Sequence, residues 1–406
     1  MVTTPTDDIV TEYLRHACLN YHESDGPEKW RHATALLDRH AGLAEADLYT
    51  AAATGHLAAV RRRLAEHPEL LDAKGGPFSW EPLLYATYGR VAWDGVVQDR
   101  KGVVAFLLDQ GANPNVHWLW GDTYVFTAVT GALGNGERGP DRLPPLPDGF
   151  DIARLLLRHG ADPNDGQALY NWMQSPGEAC IELMLEFGLN PSHRVNWTRE
   201  NPMRTLDYLL CHAAKVGLVA RVEFLLRHGA DPNADSGEGW TLYRAALRHG
   251  EYDIAEILAN AGAATEATPT DRFLGACLNE DVEGIEALLA THPGLVAELS
   301  DGDREIFHQV AGRNLRRSAA LLVRLGFDVN GREVSGYRHT PLHKAAMAGH
   351  RDMVDWLLAR GADPAVRDAT YRDVPSGWAR YHGHEALAAH IEEQGNGRAP
   401  GTAKES

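Results

Sequence analysis

Apolar residues along the chain fall into a recurring phrase. FLLDQGANPN at 106–115, LLLRHGADPN at 155–164, FLLRHGADPN at 224–233 and WLLARGADPA at 356–365 each set a Leu pair ahead of polar residues and a Gly. Fainter copies read LMLEFGLNPS from 183, ILANAGAATE from 257 and LLVRLGFDVN from 321. A Leu pair on one face, followed by polar positions and Gly, predicts the last turns of an amphipathic helix and its stop. Gly suits the stop because a helix C-cap often takes the left-handed backbone conformation, which costs any residue with a Cβ.

A second pattern precedes the phrase, most complete as HTPLHKAAMAGHRDMVDWLL at 339–358. Eroded copies occupy 46–64, 206–226, 240–258 and 272–289. Gly229, Gly262 and Gly361 are spaced by about 33 residues or a multiple of it. This segment resembles the ankyrin repeat. The resemblance implies that Thr340 and Pro341 start an inner helix, that Ala345 and Ala346 keep it slim, and that Gly349 ends it before an outer helix. The expected fold class is all-α, an ankyrin-repeat solenoid of about eleven helix-turn-helix units with degenerate caps at both ends. The units are expected near 10–43, 46–76, 80–116, 121–164, 166–192, 205–235, 239–266, 271–299, 304–330, 338–368 and 374–393. Residues 1–9 are expected to be flexible and 394–406 a disordered tail.

Three insertions break the period, at 90–100, 131–149 and 192–204. Loops of this length in a repeat array are functional or merely tolerated. The second, rich in Gly and Pro, reads equally as a flap over the inner surface or as a passive surface loop. The first carries Trp93 and the third His193, Trp197 and Arg199.

The ankyrin layout implies that the turn fingers, the residue after the TPLH-type tetrad and the residues just before the helix-ending Gly face a concave groove. Positions so assigned include Tyr21, Trp80, Tyr85, Tyr88, Trp118, Trp120, Asn171, Lys215, Trp240, Arg248, Arg313, Trp378, Tyr381 and His382. Stacked aromatics with isolated polar groups suit a bulky, partly apolar ligand and equally a protein hot spot. Packing between fingers is the plain alternative for Trp80, Trp120 and Trp240.

Charge narrows the partners. A formal net charge of -17 argues against a nucleic-acid partner, because phosphate binding rests on clustered Lys and Arg. No apolar run approaches a membrane span, and the acidic start MVTTPTDDIV lacks the character of a signal peptide. Cys18, Cys180, Cys211 and Cys277 form no CxxC pair, which fits a reducing cytoplasm. No zinc motif, phosphate-binding loop or nucleophile elbow occurs, so neither metal nor cofactor is expected. His343 and His308 occupy the TPLH-type site, where the ring ties turn backbone. Among the remaining imidazoles, His212 with Asp207 and Lys215 on one predicted helix is the best acid–base grouping, with His249 and Glu81 as further candidates.

Two functions stay open. The first is a binding protein whose groove recognises a protein partner with a neutral or basic surface. The second is a cofactor-free acid–base enzyme on an apolar small molecule. Residue usage rich in Ala, Arg, Gly and Leu looks actinobacterial, and in organisation the chain resembles stand-alone ankyrin-type cyclases of polyketide pathways. That resemblance, which is one of organisation and not of a shared catalytic motif, implies dehydration or ring closure; from the residues of this chain, His212 or His249 would serve as base, Asp207 or Glu81 as acid, and Trp80, Tyr85, Tyr88 and Trp240 as walls.

Overall fold

The computed structural model of the protein describes residues 6–40, 42–195, 203–235, 237 and 239–396. Each phrase ends a helix as its pattern predicts. Gly160 and Gly361 have φ of 94° and 92°. A Cβ at either would meet nothing within 4 Å, so backbone conformation and not space demands glycine there.

Helices pair in the order Asp7–Ala17 with Pro27–Arg39, Leu48–Thr54 with Leu57–Glu66, Pro82–Tyr88 with Arg100–Asp109, Ala128–Leu133 with Gly149–Arg158, and Gly166–Trp172 with Ala179–Glu186. The series continues with Thr205–Lys215 and Val219–Arg227, Leu242–Arg248 and Tyr252–Asn260, and Pro269–Leu278 and Val282–Thr291. It closes with Ile306–Gly312 and Arg316–Arg324, Pro341–Met347 and Arg351–Leu358, and Pro375–Tyr381 and Glu385–Asn396. These make eleven helix pairs among the described residues. The boundaries differ from the expected ones in three places. Residues 7–9 are helical, since Asp7 and Asp8 favour a first turn. The last helix runs to Asn396, past the expected start of the tail at 394. Residues 131–133 of the expected second insertion belong to a helix. One finger is not helical or irregular but a two-stranded antiparallel hairpin, His117–Trp120 with Tyr124–Thr127.

The chain divides into two compact units, residues 1–212 with 227–230 and residues 213–226 with 231–406. In the second, a continuous core runs from Phe273 to Ile391 and includes Leu322, Ala345, Ala346 and Leu357, the Leu and Ala sites of the pattern. Thr340 caps its helix, and His343 Nδ1 lies 3.2 Å from the Thr340 backbone N–H that it accepts from. His308 Nε2 donates to the carbonyls of Gly331 and His339, each at 3.0 Å. These imidazoles tie turn backbone as expected. All four cysteines are buried and none is in a disulfide, and burial pushes the Cys18 and Cys277 thiols up to about 12.

The last Asn of the phrase joins successive repeats. Asn115 Nδ2 donates to Gly160 O at 2.9 Å while its Oδ1 accepts from Asp162 N at 2.8 Å. Asn330 does the same with Gly361 O at 3.0 Å and Asp363 N at 2.8 Å.

Candidate functional site

The first unit holds a chamber of about 500 Å³ lined by rings of Tyr21, Trp120, Tyr124, Phe126, Tyr170 and Tyr208. Its construction begins at a buried ion pair. Asp25 Oδ2 accepts from the backbone N–H groups of Asn20 and His22, both at 3.1 Å, and Lys29 Nζ donates to Asp25, to Asn20 Oδ1 at 3.0 Å and to Cys18 O at 2.8 Å. This clamp holds Tyr21 in a left-handed backbone conformation, φ 59°, which a bulky residue adopts only when its surroundings fix it.

The hairpin supplies the next wall. Trp118 faces Phe126 and Trp120 faces Tyr124 across the strands, so all four rings stand on one face. Behind them runs a ladder of rings: Phe78 stacks on Trp80 at 4.5 Å, Trp80 lies 5.3 Å from Trp118, Trp118 4.9 Å from Phe126, and Phe126 4.6 Å from Tyr21. Tyr88 Oη donates to Thr127 O at 2.8 Å and pins the hairpin from below.

The insertion is the third wall. Leu143 and Leu146 are buried, Arg90 Nε donates to Pro144 O at 2.7 Å, and Asn135 N donates to Leu143 O at 2.6 Å. So anchored, it brings Gly136, Glu137, Arg138 and Leu143 to the lining. Tyr170 Oη donates to Glu137 Oε1, and Arg138 Nη1 donates to His22 O at 3.2 Å.

The floor is polar. Gln167 Nε2 donates to Asn171 Oδ1 at 2.8 Å, and Asn171 Nδ2 donates to Tyr21 Oη at 3.0 Å and to Gly134 O at 3.4 Å. Burial raises the Tyr21 phenol well above its ordinary range, and burial followed by the Glu137 contact does so for Tyr170. Both stay protonated at neutral pH. Among the described residues no group of three or more His, Cys, Asp or Glu side chains could hold a metal ion, and no helix is long and apolar enough to cross a membrane.

Comparison with known proteins adds to this geometry. Residues 273–368 match the family model for ankyrin repeats in three copies. The chain thus carries ankyrin repeats. It is 29% identical to the putative ankyrin repeat protein YahD of Escherichia coli over 45% of this chain and 92% of that protein. It is 29% identical to mouse Rabankyrin-5 over 37% of this chain, which covers 13% of Rabankyrin-5. Against human protein phosphatase 1 regulatory subunit 27 the identity is 30% over 25% of this chain and 62% of that protein.

Within the ankyrin array the residues nominated from sequence separate. Tyr21, Trp120 and Asn171 meet in the chamber. Trp80, Tyr85 and Tyr88 do not face a groove: they are buried, Tyr85 Oη donating to Gly75 O at 2.9 Å, because these ring faces fill the space between neighbouring repeats. Trp118 joins that ladder, half-buried. Glu81 is buried, with Oε1 3.6 Å from Lys74 Nζ and Oε2 without a hydrogen-bond partner among the described residues. Asp207 is held by Arg204 through Nε at 2.6 Å and Nη2 at 2.7 Å, so the expected acid is an ion-pair partner. His212 and Lys215 lie farther along the Thr205–Lys215 helix, both half-buried. His212, His249, Asp207 and Glu81 are all absent from the chamber lining.

In the second unit Trp240 lies under the Arg248 guanidinium at 4.1 Å, and Arg248 also binds Asp271 at 2.9 Å and Asp303. Arg248 is thus neutralised rather than poised for a ligand. Arg313 is exposed, its Nη1 3.5 Å from His249 O. Tyr381 and His382 are exposed beside Trp378, with ring centroids 5.8 and 6.2 Å from it. Trp197 and Arg199 fall outside the described residues. Tyr124, Phe126, Glu137, Gln167, Tyr170 and Tyr208 are lining residues that sequence reasoning missed. The alternation in HWLW and YVFT on either side of GDT signals the first two; nothing local signals the others.

Proposed function

We propose that this ankyrin-repeat protein is a binding protein that engages a protein partner through the chamber of its first unit. The observation that carries the reading is the assembly of six rings over an amide floor from residues distant in sequence. Such a lining combines large apolar area with few oriented polar groups, the composition of an interface hot spot. Ankyrin repeats in general serve protein association, and one relative is named as a regulatory subunit of a protein phosphatase. The reading as a cyclase on an apolar polyketide-like molecule has less support. A chamber of this size would admit such a substrate, but the four acid–base groups nominated for the chemistry do not line it.

The test is cross-linking capture with the full chain, its Trp120→Ala variant and its Tyr124→Ala variant. We expect a stoichiometric protein captured by the parent and lost by both variants. Capture indifferent to both substitutions counts against the chamber. Accumulation of a small-molecule precursor in a deletion strain, with no captured protein, would favour the enzyme.

A further inference from the structure

We infer that the chamber takes the guanidinium of an arginine side chain presented by a basic segment of the partner. The inference rests on the partner-binding reading of the same chamber and gives its occupant a chemistry.

The rings supply the first argument. Tyr21, Trp120, Tyr124, Phe126, Tyr170 and Tyr208 surround the volume, and burial keeps the Tyr21 and Tyr170 phenols neutral. Neutral aromatic faces carry a negative quadrupole and attract cations, most strongly where water is excluded.

Hydrogen-bond accounting supplies the second. Gln167 uses its Nε2 on Asn171, and Asn171 uses its Nδ2 on Tyr21 Oη and Gly134 O. Among the described residues Gln167 Oε1 accepts no hydrogen bond, while its Nε2 is used on Asn171, which leaves the floor with an acceptor to offer. At the rim, the Glu137 carboxylate accepts from Tyr170 and has a second oxygen to offer. Vacant acceptors at floor and rim call for a ligand that donates from more than one position.

Charge is the third. Glu137 and Arg138 carry the formal charges on the lining, and Arg138 Nη1 is engaged by the His22 carbonyl at 3.2 Å. The whole chain carries -17, so a basic segment is drawn toward it. Guanidinium fits better than ammonium: it is planar, stacks on rings, donates in its plane, and is more weakly hydrated.

The experiment uses the purified full chain and calorimetric titration with an acetylated, amidated Gly-Arg-Gly peptide, its citrulline counterpart and agmatine. Citrulline keeps the shape and removes the charge. We expect the arginine peptide to bind at least about tenfold more tightly than the citrulline peptide. Glu137→Gln should shrink that preference to about threefold or less, and Trp120→Ala should weaken the arginine peptide by about tenfold. Equal binding of the arginine and citrulline peptides overturns the inference, as does the absence of any heat for the arginine peptide at about 10 mM. Agmatine binding as tightly as the peptide would make the occupant a free guanidine compound and would also overturn it. Partner capture that survives while citrulline equals arginine removes the cation and leaves the partner reading standing. Capture that is indifferent to Trp120→Ala and Tyr124→Ala removes the partner reading itself.

Discussion

At His343 the imidazole is wholly buried, and Nδ1 accepts from the Thr340 N–H, so the ring is neutral with its proton on Nε2. Burial, followed by the nearby His339, lowers its pKa from 6.5 to about 4. His308 and His339 are lowered in the same direction, burial being the largest cause for each. The unfolded chain therefore binds more protons than the folded one between about pH 4 and 6.5. The stability these rings confer is present above pH 6.5 and lost as pH falls toward 4. For His343 alone the loss is on the order of 3 kcal/mol. Denaturant unfolding of the second unit at pH 7.5 and 4.5 should show this slope, and His343→Gln should flatten it. Carboxylates enter at the acid end: Asp368, held down to about 2 against its burial by Trp378 and by backbone N–H groups of 370, 371 and 373, acts below 3.8, and Glu333, lowered from 4.5 against its burial by Lys344, adds to the loss near pH 4.5, which His343→Gln leaves in place. The TPLH-type role of this histidine was legible in sequence because the ring and the backbone it ties are three residues apart.

Between neighbouring helix pairs the repeat-ending Asn acts as a staple. Asn330 gives one hydrogen bond to the cap carbonyl of Gly361 and takes one from Asp363 N. Asn330→Ala should cost about 1–2 kcal/mol, since the site is exposed and water replaces part of the loss. Asn330→Asp keeps the acceptor and drops the donor, and should fall between the two in denaturation midpoint. An unchanged midpoint for Ala would show that the staple contributes nothing to coupling. The phrase marked this Asn by its recurrence, but its partner lies 31 residues away, a distance at which a pattern shows regularity without a reason. The hairpin shows a related case: its alternation is written in HWLW and YVFT, whereas the choice of face depends on the ladder from Phe78 to Tyr21 behind it.

Taken as a whole, the molecule is acidic, with a net charge of -17. An approach by a basic partner should be steered by that field. Raising ionic strength from about 0.05 M to about 0.5 M shortens the screening length from above roughly 10 Å to below roughly 5 Å. The association rate constant of the captured partner should then fall by at least about tenfold while its dissociation rate changes less. Stopped-flow measurement across that range checks this, and a salt-independent rate would exclude a basic partner surface.

The repeat architecture was set by sequence alone because each of its signals acts within one turn or one helix: a Leu pair buries one face, an Ala pair keeps a helix slim, and a cap Gly takes the left-handed conformation. The chamber is different. Asn171 meets Tyr21 across 150 residues, and Tyr170 meets Glu137 from within an insertion that has no period. Which aromatic faces the chamber and which, like Trp80, Tyr85 and Tyr88, is spent on packing follows from how neighbouring repeats close on one another. That closure is a property of the stacked fold, and no window of sequence contains it.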